Sequence, residues 1–121
     1  MNNHQAIEPL LLSLVIPVFN EADSIGLFID KVTAVFAQQS SVCLELLFVN
    51  DGSTDTTFAT LETAARDWPA VQVVRLPRNR GQAVALWRGL ERTQAPWIAT
   101  LDGDGQNPPG ELAKLWARRD E

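Results

Sequence analysis

Apolar runs alternate along this chain with stretches in which apolar residues recur every three or four positions, and the alternation repeats four times. Residues 12–19, LSLVIPVF, form the first run, with Pro17 near its end, where a missing N–H does least harm to a strand. Ile25, Phe28, Ile29, Val32 and Phe36 follow at helical spacing, which predicts a helix running to about Gln38. Residues 44–49 read as a second strand, and Phe58, Leu61, Ala65 and Trp68 mark a second helix closed by Trp68-Pro69. Residues 71–76 form a β-branched third strand, and a third helix is expected to turn Ala83, Leu86, Trp87 and Leu90 inward. Residues 97–101, WIATL, have the composition of a buried fourth strand. Pro108-Pro109 then suits the first turn of a last helix carrying Leu112, Leu115 and Trp116.

Strands that alternate with helices predict an α/β fold: a Rossmann-like parallel sheet with helices on both faces and right-handed crossovers. The near-continuous apolar strands agree, because such strands are buried on both sides. A polar cluster follows each strand directly: Asn20-Glu21, then Asn50-Asp51-Gly52-Ser53, then Arg78-Asn79-Arg80-Gly81, then Asp102-Gly103-Asp104. In a parallel sheet all four emerge at the carboxyl edge, where open α/β sheets bind ligands. Asn20, with an acid three residues on, also has the chemistry of a helix cap.

Composition narrows the classes. The 121 residues are 45% hydrophobic, with both charge signs well mixed, enough for one folded domain with a single core. We read residues 1–11 as a polar N-terminal tail, in which His4 is a solvated side chain, and residues 12–121 as the domain. A net charge of −5 asks for neither nucleic acid nor an anionic membrane as partner. The single cysteine, Cys43, excludes an internal disulfide or a cysteine-based metal site and fits a reducing, cytoplasmic setting. No apolar stretch reaches the roughly 20 residues that span a bilayer. The chain stops inside an amphipathic pattern, Trp116 to Glu121, so a domain cut short at its C-terminus is expected, with an unsatisfied sheet edge that favours self-association.

Asp102 and Asp104 stand at i and i+2, where an extended chain points both carboxylates the same way. Carboxylates that close repel, and a divalent cation relieves the conflict. Hard oxygen ligands with no His or Cys nearby suit Mg²⁺ or Mn²⁺ bridging a diphosphate. Taken alone, D-x-D also reads as an acidic glycine-rich turn. No G-x-G-x-x-G follows the first strand and no G-x-x-x-x-G-K-[ST] is present, so dinucleotide and P-loop sites are excluded. An EF-hand would need Gly and Glu where Asn107 and Ala113 stand.

Leu14-Val15-Ile16-Pro17-Val18-Phe19-Asn20-Glu21, Val49-Asn50-Asp51-Gly52-Ser53-Thr54-Asp55, Arg75 with Asn79-Arg80-Gly81, and Leu101-Asp102-Gly103-Asp104-Gly105-Gln106-Asn107-Pro108-Pro109 occur in that order. Together they resemble a family-2 glycosyltransferase, closest to the dolichyl- and undecaprenyl-phosphate sugar transferases, and the likeness runs from about Leu12 onward. It implies the nucleotide-binding half of a GT-A fold and transfer of a hexose-type sugar from a UDP- or GDP-linked donor. The implied acceptor is a polyprenyl phosphate, which attacks the donor sugar's anomeric carbon with inversion, in cell-envelope glycan synthesis at the cytoplasmic face of the membrane. By the same resemblance Pro17, Phe19 and Glu21 line the nucleoside, with Glu21 on the ribose. Asp51 accepts from the base, Arg80 and Gly81 lie near the nucleotide, and Asp102 serves both nucleotide and metal. Asp104 and Gln106 complete the metal site. Asn50 departs from the family's usual pair of aspartates. The catalytic base is expected downstream of residue 121, so the chain alone is expected to be inactive or weakly active. The remaining alternatives are a non-catalytic nucleotide-binding or interaction module and a purely structural α/β domain.

Overall fold

A computed structural model describes residues 10–36 and 44–101, together with Lys114 and Arg118. The elements are β1 (Leu12–Val18), α1 (Ala22–Phe36), β2 (Leu44–Asp51), α2 (Thr57–Asp67), β3 (Val71–Leu76), α3 (Gln82–Leu90) and β4 (Trp97–Thr100). All strands pair in parallel, in the order β3-β2-β1-β4. The predicted alternation and sheet are therefore present, and among the described residues the fourth strand alone lies on the far side of β1. The helix expected from Pro108 onward lies outside the described residues, apart from Lys114 and Arg118.

Alternation along the strands separates two cores. Leu12, Leu14, Ile16, Val18, Leu46 and Phe48 point to the face covered by α1 and α2, where Ile25, Phe28, Ile29, Val32 and Leu61 meet them. Phe28 packs edge-on against Phe48, with ring centroids 6.1 Å apart. Val15, Leu47, Val49, Val74 and Leu76 point the other way, to α3. Pro17 is tolerated in this central strand for a local reason. Val15 O accepts from Leu101 N at 3.1 Å, so odd-numbered residues of β1 turn their polar backbone groups toward β4. Pro17 falls just past Thr100, the last residue of β4 paired with β1.

Two expectations fail here. The buried positions of α3 are Ala85 and Gly89, while Ala83, Trp87 and Leu90 are exposed, Trp87 by 62%. The reason is clearance: a Cβ on Gly89 would lie 2.5 Å from Val15 Cγ1 and 2.9 Å from Val49 Cγ2. The helix backbone thus rests directly on the sheet, and only small residues fit beneath it. Among the described residues β4 is likewise an edge strand rather than a buried one, with Trp97 42% and Ile98 45% exposed. Trp68, the apolar residue that closes α2, packs partly buried against the first core. Trp116 lies outside the described residues.

Candidate functional site

The strand order reverses direction between β1 and β4, because β1, β2 and β3 run outward one way and β4 is then added on the opposite side. Such a switch point opens a crevice outside the carboxyl ends of the strands. Three of the four predicted polar clusters are described, and all three emerge at that edge. Hydrogen bonds join them into one rim.

The first link runs from the β1–α1 loop to the β2–α2 loop. Asn20 is the only described non-glycine residue with a positive φ, at 52°, and it does not cap α1. Ser24 and Ile25 instead donate their N–H groups to Glu21 O, at 3.0 and 3.1 Å. The Asn20 side-chain oxygen accepts from Thr54 N at 2.8 Å and Asp55 N at 3.3 Å, while Asn20 N donates to Ser53 Oγ at 2.9 Å. Glu21 N donates to Thr57 Oγ1 at 2.8 Å. The tertiary partners have outcompeted the local cap. Asp55 takes both the hydroxyl and the N–H of Thr57. The hydroxyl bond foremost, outweighing the desolvation cost and helped by the Thr57 and Ala22 amides, holds its carboxyl below the usual range.

The second link runs from β2 to the β3–α3 loop. Asp51, only 4% exposed, accepts from Arg80 N at 2.7 Å on Oδ1 and from Gly81 N at 3.0 Å on Oδ2. Asn79 Nδ2 donates to both Asp51 Oδ2 and Asp51 O, each at 3.2 Å. A carboxylate offers about four lone-pair directions, so Oδ1 retains one acceptor position. Gly52 sits at φ 71° with its backbone against Arg78 and Asn79, and Gly81 at φ 97°. Both conformations favour glycine. Asn50, 1% exposed, closes the turn by accepting from Ser53 N at 3.3 Å.

Pro17 is buried within β1, Phe19 is 43% exposed at the rim, and Glu21 is half-buried, with Ser24 Oγ 3.4 Å from its carboxylate. Arg78 and Arg80 are exposed, and among the described residues neither guanidinium is ion-paired. Arg75 lies over the Phe58 ring, 4.1 Å from its centroid, instead of reaching across the rim. The structure thus brings Phe19, Glu21, Asp51, Arg80 and Gly81 to one edge. Asp102, Asp104 and Gln106 lie outside the described residues. Their strand reaches the same edge, with Leu101 buried beside Val15. Among the described residues no three His, Cys, Asp or Glu side chains converge. Asn20 and Asn79 do the joining that sequence reading did not assign, because their partners lie about thirty residues away.

Comparison with known proteins bears on this edge. The family described as "Glycosyl transferase family 2" matches residues 13–121. A dodecaprenyl-phosphate galacturonate synthase of Rhizobium johnstonii is 37% identical over 110 residues, covering 90% of this chain and 32% of the relative. An undecaprenyl-phosphate 4-deoxy-4-formamido-L-arabinose transferase of Pseudomonas fluorescens is 40% identical over 105 residues, covering 86% and 30%. The chain thus spans about a third of the length of these curated relatives. Among solved structures, a mannosyltransferase from Pyrobaculum calidifontis in complex with GDP-Man and Mn²⁺ superposes with a TM-score of 0.77 at 24% identity. That match covers 91% of this chain and 32% of the other, and shows the shared fold.

Proposed function

This chain belongs to glycosyl transferase family 2, and from that premise we propose that it forms the donor-binding part of an enzyme moving a sugar from a nucleoside diphosphate to a polyprenyl phosphate. The observation that carries the reading is the rim. Loops after three parallel strands are hydrogen-bonded together beside a switch-point crevice, and the D-x-D stretch follows the fourth strand in sequence. The relatives' names supply the acceptor class, and the mannosyltransferase complex supplies the donor and metal classes.

In this reading residues 12–121 are the domain. Pro17 and Phe19 flank the nucleoside, and the Glu21 carboxylate accepts from ribose hydroxyls. The open Oδ1 position of Asp51 accepts a base N–H, with Arg80 and Gly81 beside it. Asp102, Asp104 and Gln106 would hold the divalent metal, Mg²⁺ or Mn²⁺, which when bound would neutralise charge on the departing diphosphate. A lipid phosphate acceptor is already ionised, so it demands little of a general base. No described helix is long and apolar enough to cross a membrane. The polyprenyl-phosphate acceptors named for the relatives support placing this donor-binding part at the cytoplasmic face of a membrane.

Calorimetric titration with UDP and with GDP, each with Mn²⁺ or EDTA, tests the reading. One nucleotide is expected to bind only with metal. Asp104→Ala is expected to weaken it at least tenfold, about 1.4 kcal/mol. A folded chain that binds neither nucleotide overturns the proposal.

Among the described residues β4 has no strand partner besides β1, and Ile98 on it is 45% exposed, which supports a second property of the isolated chain. Self-association through that edge is expected in sedimentation velocity, and Ile98→Lys is expected to restore a monomer. A wild-type monomer at high concentration refutes it.

A further inference from the structure

We propose that Asn20 is a positioning residue for the donor nucleotide, an inference that rests on the donor-site reading above. The bridge it makes is reciprocal. Two successive N–H groups of the first loop, on Asn20 and Glu21, donate to hydroxyl oxygens on Ser53 of the second loop and on Thr57, the first residue of α2. Two successive N–H groups of the second loop, on Thr54 and Asp55, donate back to the one amide oxygen of Asn20. The left-handed backbone at Asn20 is what lets its own N–H and its side chain serve the same neighbour loop. Asn adopts that conformation more readily than most residues with a Cβ.

Asn20 lies between the two described first-loop residues at the rim. Phe19 precedes it, and Glu21 follows with its backbone held at 2.8 Å from Thr57. The second loop in turn begins at Asp51, whose carboxylate fixes Arg80 and Gly81. Asn20 therefore locks the first wall of the crevice to a unit already joined to the third loop. A rim ordered before the ligand arrives gives up less freedom on binding. The amide of Asn20 touches no ligand in this account and acts through Glu21 and the Ser53–Asp55 turn.

Three variants test it in the 121-residue chain. Asn20→Gly keeps the positive φ without strain and removes the side chain that carries the bridging oxygen, so the fold survives. Asn20→Asp keeps an acceptor oxygen. Nucleotide affinity in the presence of Mn²⁺ is expected to fall about tenfold in Asn20→Gly and Asn20→Ala, and to return within about threefold of wild type in Asn20→Asp. In nucleotide-free Asn20→Gly, the Thr54 and Asp55 amides are expected to exchange with solvent faster than in wild type. Affinity unchanged in Asn20→Gly, with wild type binding normally, refutes the positioning role and leaves the donor site standing. A wild-type chain that binds no nucleotide defeats the donor reading, and this role with it.

Discussion

Gly52→Ala is expected to destabilise the chain by about 3 kcal/mol, the largest effect of any single methyl group here. Two costs add. A non-glycine residue held at φ 71° is disfavoured by about 1–2 kcal/mol. The new Cβ would also stand 2.2 Å from Asn79 N and 2.3 Å from Arg78 C, contacts no real side chain makes. Both neighbours are backbone, so no rotamer change relieves the clash, and overpacking of this kind costs about 1–3 kcal/mol. The third loop must move away, which breaks the Asp51 bonds to Arg80 and Gly81. Thermal unfolding followed by circular dichroism should show a midpoint lowered by roughly 10 °C or more. A variant melting within about 2 °C of wild type contradicts the close packing of the two loops.

Asp51→Asn should produce the second largest loss, about 2–3 kcal/mol, from an isosteric change. The carboxylate receives Arg80 N on one oxygen and Gly81 N with Asn79 Nδ2 on the other. An amide offers one acceptor and faces the remaining N–H donors with an NH₂ group. The residue is nearly fully buried, so water cannot easily replace the lost partner. A fall in the urea midpoint with unchanged m-value is the expected signature. Faster hydrogen exchange confined first to the Arg80 and Gly81 amides would locate it. In the donor reading the same change also weakens nucleotide binding, since the base acceptor and the loop anchor are one group. An unchanged midpoint means that the anchor is dispensable.

Much of this architecture was legible in the chain. Four apolar runs separated by helical periodicities are enough for a parallel sheet, and polar residues directly after each run must then share an edge. Periodicity failed where packing distance decides orientation. α3 carries Ala85 and Gly89 on one side and Trp87 on another, and a hydrophobicity argument turns Trp87 inward. The sheet surface of Val15 and Val49 admits only the small side, which no pattern within α3 announces. Asn20 was misread for a related reason. A residue after a strand and before a helix satisfies the cap rule, and its actual partners, Thr54 and Asp55, are visible only once β1 and β2 pair. The edge position of β4 follows from strand order, which alternation alone leaves open.

The central claim is that the linked loops after β1, β2 and β3 form one wall of a donor nucleotide site. The most direct measurement is a map of amide chemical-shift changes in the ¹⁵N-labelled chain, titrated with UDP and with GDP in the presence of Mg²⁺. The account predicts saturable changes for one nucleotide, concentrated at Phe19 to Glu21, Asp51 to Ser53, and Arg80 to Gly81. Changes absent from all three loops, or centred on the opposite edge of the sheet, would contradict it.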